Sequence, residues 1–120
     1  MMKKHAINGS WRITETEVWD KAAFDQEKPA YIQFEDNRLG EFHLLLVHGW
    51  MDCRYEERGG KPAVEFSWEG IDEGNQCSGR GWAVLEGDRL SGRLFFHDGD
   101  DSGFTAEKQK EGKTAKRRKA

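Results

Sequence analysis

No apolar run in the sequence approaches the roughly 20 residues that a membrane-crossing helix needs. The first ten residues carry lysines with no apolar segment behind them, so no secretory signal is read there. The expectation is a cytoplasmic protein with no membrane partner. Cysteine is scarce: Cys53 and Cys77 fall in different expected strands, and neither has a second Cys or His two to four residues away. That spacing argues against a compact metal motif, and with no export signal the expected state is two reduced, partly buried thiols. Enzymatic patterns are missing as well. No Ser or Cys sits in a nucleophile-elbow pattern, no Gly-rich phosphate loop precedes a helix, and the carboxylates show no environments that would separate an acid from a base. We therefore expect no catalysis, no metal and no cofactor.

Aromatics are what the chain has in quantity. In 120 residues there are five Trp and seven Phe against few aliphatics, so a core must be built from large rings, a composition that favours strands. The length suits one domain. Charge divides it further: from Lys108 to Ala120 there are seven Lys/Arg and one acid, a net +6, whereas residues 1–107 hold twelve Lys/Arg and 21 acids, a net −9. We read residues 1–107 as the folded domain and 108–120 as a basic tail. A Lys-rich terminus without aromatics reads first as a solvated end, and nucleic acid as a partner is expected only through that tail.

Turn residues punctuate the chain. Asp36-Asn37, His48-Gly49, Gly59-Gly60, the loop 70–75, Gly87-Asp88 and the acidic stretch 98–103 separate segments of six to ten residues with strand-like alternation. They delimit eight strands, at 9–17, 30–35, 39–47, 50–57, 62–69, 77–86, 89–97 and 103–108. Between the first two, Trp19, Ala22 and Ala23 recur at helical spacing, so one short helix is expected there as a plug for one end. No helical stretch lies between the later strands, so the connections are hairpins and the sheet is an antiparallel meander. Alternation puts Val64, Phe66 and Trp68 on one face and Glu65, Ser67 and Glu69 on the other. Eight meandering strands with one apolar face expose two edges unless they close. The expected fold is an all-β, eight-stranded, antiparallel up-and-down barrel.

The first strand opens with Gly9-Ser10-Trp11, and with that barrel the chain resembles the calycin group: lipocalins, fatty-acid-binding proteins, avidins and their small bacterial relatives. The resemblance implies that Trp11 packs across the closed end of the barrel beneath a basic residue from a late strand, Arg93 or Arg80. It also implies a ligand cavity inside. There are departures: no Thr-Asp-Tyr occurs in mid-chain, and the basic tail stands where lipocalins carry a long helix.

The leading functional expectation is a small apolar or amphipathic ligand held in the interior. Tyr55, Phe66, Trp68 and Phe96 would serve as walls, and Arg54 or Arg80 would hold a ligand carboxylate. Against this stands a barrel simply filled by its own side chains, acting as an interaction module through Trp19, Trp50 or Trp82 and the basic tail. For Arg54 and Arg80 the plainer placement is an outer ladder of alternating charges. The stretch 98–103 begins like a calcium loop but has Gln109 where the bidentate Glu belongs, so it reads as a hairpin turn. His43, His48 and His97 read as solitary rim or surface residues, because nothing in their spacing brings two onto one turn. Of these, His97 is the first to test for metal or haem.

Overall fold

Gly-rich turns and alternating strands produce the expected meander. The computed structural model describes residues 5–109, in the order β1 (Gly9–Thr16), α1 (Lys21–Phe24), β2 (Tyr31–Phe34), β3 (Leu39–Leu44), β4 (Val47–Arg58), β5 (Lys61–Asp72), β6 (Asn75–Glu86), β7 (Arg89–Phe96) and β8 (Asp101–Lys108). Each strand pairs antiparallel with the next, and β8 pairs back with β1, closing an up-and-down barrel with no free edge. Apart from Lys108 and Gln109, the basic tail lies outside the described residues. Among the described residues no helix is long and apolar enough to cross a membrane.

Two turns lie elsewhere than the sequence suggests. The β3–β4 turn is Leu45-Leu46, not His48-Gly49: Leu45 takes a φ of 59° and its N–H donates to the Phe24 carbonyl at 3.1 Å. Gly49 is instead a mid-strand residue facing the interior. A Cβ there would lie 2.5 Å from Cε2 of Phe42 and 3.1 Å from Cε3 of Trp68, so glycine makes room for two aromatic rings. The loop read over 70–75 shrinks to Glu73-Gly74, with φ of 51° and 88°, and β5 and β6 run on to meet it.

Trp11 is buried on β1, beside β2 and β8. Its indole N–H donates to the Ile7 carbonyl at 2.8 Å. The cation over the ring is Lys108 of β8, with Nζ 4.8 Å from the ring centre, and not Arg93 or Arg80. Lys108 reaches that place because its Nζ also donates to the Asn8 carbonyl at 2.7 Å, beside Gly9. Arg93 sits on the outer face, bridging Glu17 and Asp101 at 2.8 Å each. Between β1 and β2 lies α1, a single turn whose N-cap Asp20 accepts from the Ala23 N–H at 3.0 Å. Its plug is Phe24, which is buried, whereas Ala22 faces solvent. Just beyond α1, Asp25 takes a two-pronged contact from Arg12 at 2.7 and 2.8 Å and the Ala30 N–H at 2.8 Å, tying the connection down to β1 and β2.

Candidate binding surface

The interior is lined as alternation predicts and, among the described residues, is occupied by aromatic and aliphatic side chains. Phe66 and Trp68 point inward and are buried, with Phe42 set edge-on to Trp68 at 5.0 Å, Phe96 edge-on to it at 5.2 Å and Phe34 edge-on to Phe66 at 6.2 Å. The interior void bounded by Ile13, Ile32, Phe42, Leu44, Leu94 and Phe104 measures about 10 Å³. That is room for one water at most, where a small-molecule site takes roughly 300–1,000 Å³.

The six residues expected to line an interior site are divided between the two faces of the sheet. Phe66, Trp68 and Phe96 belong to the aromatic core. Tyr55 lies on the inner face, where His5 stacks on its ring at 3.9 Å and Asn8 donates to its hydroxyl at 3.1 Å. Burial pushes the Tyr55 hydroxyl up to about 12, so it stays protonated. Arg54 and Arg80 are exposed on the outer face, on the far side of the sheet from those rings. The reason is the two-residue period of a strand: both arginines lie an odd number of positions from the inward residues of their strands. Arg54 pairs with Asp52 at 2.7 Å.

The outer face of β4 to β7 carries a different constellation. Small side chains at Ser67 and Ser78 leave a trough of about 780 Å³ between Trp50 and Asp52 on one side and Phe95 and His97 on the other. Trp50 is 49% exposed, with one face stacked on His48 at 4.4 Å. The Arg80 guanidinium lies 5.3 Å over the Phe95 ring and joins no ion pair among the described residues. Farther along the same face Arg58 covers Trp82 at 5.1 Å. The indole N–H of Trp68, 2% exposed and without a hydrogen-bond partner, lies behind Gly79 in the trough wall. Of the three Trp offered as exposed anchors, only Trp50 is open; Trp19 packs edge-on against Phe96 at 6.0 Å.

The remaining candidates resolve simply. Cys53 and Cys77 are free thiols, and burial pushes the Cys53 thiol up to about 12, which makes it inert. The His97 side chain is 73% exposed beside Asp98 at 3.5 Å, a surface pair at the tip of the β7–β8 turn. Among the described residues no group of three or more His, Cys, Asp or Glu is placed to hold a metal ion. Sequence spacing did miss one pairing: His43 and His48 are direct cross-strand partners, brought together by the turn at Leu45-Leu46. Phe95 and the small floor residues Ser67 and Ser78 were legible as outward positions, but their grouping needs the register of four strands. Compared with known proteins, the chain matches no family model, no curated protein and no solved structure.

Proposed function

We propose that the chain is a filled, calycin-like barrel that acts without catalysis as an interaction module, binding a protein partner through the outer face of β4 to β7. The observation that carries this reading is the contrast between an interior void of about 10 Å³ and an outer trough of about 780 Å³. Aromatic and Arg side chains dominate the energetics of protein interfaces, because each buries a large area and Arg adds directed hydrogen bonds. Here Trp50, Phe95 and Arg80 border one trough, and the Arg80 guanidinium, stacked and without an acidic partner, is available to a carboxylate on the other protein.

A second reading, a small amphipathic ligand, is favoured by one feature: the trough volume falls in the range of small-molecule sites. In that reading the ligand lies outside the barrel wall and not within it. The test is retention by the immobilised full chain, comparing wild type with a Trp50→Ala/Arg80→Ala variant and with Tyr55→Phe at the far end. A protein retained by wild type and Tyr55→Phe but lost from the double variant supports the module. Equal retention by all three, or no retained protein, counts against it, and a small molecule displaced only from wild type favours the second reading.

A further inference from the structure

Two imidazoles five residues apart in sequence stand side by side on the outer face of the β3–β4 hairpin. His43 and His48 are direct cross-strand partners, with ring centres 5.9 Å apart and planes inclined by 51°. Each ring has a carboxylate at its Nε2: Glu27 Oε1 is 3.4 Å from His43, and Glu41 Oε1 is 3.2 Å from His48. Glu41 is itself held by the Tyr31 hydroxyl, which donates to its other oxygen at 3.1 Å. The Glu41 carboxylate hydrogen-bonded to His48 Nε2 selects the tautomer with the proton there, leaving the lone pair on Nδ1. In His43, only 4% exposed, Nδ1 is buried and has no hydrogen-bond partner among the described residues.

A buried ring nitrogen without a partner on His43, beside a second imidazole whose other nitrogen is held by a carboxylate, is an arrangement that suits metal-binding histidines. We propose that His43 and His48 bind one divalent transition-metal ion, Zn²⁺ or Cu²⁺, through their Nδ1 atoms, with Glu27 and Glu41 as orienting carboxylates. Imidazole nitrogen suits both ions, and with metal–nitrogen distances of about 2.0–2.1 Å two rings on one ion stand roughly 5–6 Å apart. Only two protein ligands are supplied, and any water on the ion enters from the His48 side, where the ring is partly exposed, because the His43 ring is buried. No group of three or more His, Cys, Asp or Glu is placed to hold a metal ion among the described residues, so the pair is the whole of the protein's ligand set. The site is separate from the proposed interaction surface, apart from Trp50. That residue stacks on His48 at 4.4 Å and so provides a local reporter.

The experiment is titration of the chelator-treated full chain with Cu²⁺ and, separately, Zn²⁺, followed by calorimetry and by Trp emission. The reference variant is His5→Ala/His97→Ala, which keeps only the cross-strand pair. One ion per chain is expected in wild type and reference, with Cu²⁺ quenching emission. His48→Gln, at a half-exposed ring, should weaken binding at least about tenfold, as should Glu41→Gln through loss of the orienting carboxylate. Trp50→Phe should remove most of the quenching but leave the calorimetric binding. Circular dichroism confirms that each variant folds. Histidine ring ¹⁵N spectra should show Zn²⁺ shifting the Nδ1 signals of His43 and His48. No stoichiometric ion in the reference variant, or binding unchanged by His48→Gln, would overturn the proposal.

Discussion

Placing a methyl group at Gly49 tests whether the interior is packed as tightly as its geometry indicates. The added Cβ would meet Phe42 at 2.5 Å and Trp68 at 3.1 Å, and the three nearest atoms all belong to those side chains. Overpacking a well-filled core costs about 1–3 kcal/mol. Replacing Gly stiffens the unfolded chain and returns about 0.4–1 kcal/mol. The net expectation for Gly49→Ala is a loss of about 1–2 kcal/mol. With an unfolding entropy of about 2.1 cal/mol/K per residue over a domain of roughly a hundred residues, that is a fall in Tm of about 5–10 °C. Phe42→Leu alone gives up the edge-on contact with Trp68 and part of the ring volume, and should cost about 1–2 kcal/mol. In the double variant the new methyl occupies space vacated by the ring. The two losses should therefore fall short of additivity by about 1 kcal/mol. Chemical denaturation of the four proteins gives the cycle. A neutral or stabilising Gly49→Ala, or strict additivity, would refute the packing argument and restore slack to the interior.

Other consequences can be checked separately. Arg12, the Lys21 ammonium and the Ala30 N–H hold the Asp25 carboxyl well below the usual carboxylate range. Its stabilising effect is therefore complete above the unfolded value near 4 and fades as pH falls toward the folded one. Asp25→Asn should lose about 1.5–3 kcal/mol at pH 7 in urea titrations, with the gap to wild type narrowing below about pH 4; a gap independent of pH would contradict this. Lys108→Met should cost about 0.5–1 kcal/mol and alter Trp11 fluorescence, while Arg93→Ala should leave that emission unchanged, since it is Lys108 that covers the indole. Iodoacetamide on the native protein should modify Cys77 well before Cys53, whose thiol burial holds near 12, and equal rates measured by peptide mass spectrometry would refute the buried placement.

Much of the barrel was legible because its signals are local. Gly59-Gly60 and Gly87-Asp88 mark turns by composition, and the alternation of Val64, Phe66 and Trp68 fixes a face over a few residues. Failure came where one residue type serves two purposes. Gly49 is glycine for packing and Leu45 takes a positive φ without being glycine, so turn composition points three residues past the true turn and hides the His43–His48 pairing. The resemblance points to β6 or β7 for the cation over Trp11, but it comes from β8, the strand that pairs directly with β1. Whether the barrel is full or hollow was not legible at all. It depends on how far each ring penetrates, which glycines such as Gly49 and Gly81 set through contacts between strands. The candidate surface suffered similarly: Arg80 and Phe95 were each read as outward, but only strand register sets one over the other.

The central claim is that the interior is occupied by the protein's own side chains and that binding takes place outside. Titration of a fluorescent fatty acid, with Trp emission as energy donor, tests it most directly when performed on wild type and on the Trp50→Ala/Arg80→Ala variant. The account predicts no saturable one-to-one binding in the variant. Saturable binding that persists there, and is displaced by unlabelled fatty acid, would put a ligand inside the barrel and contradict it.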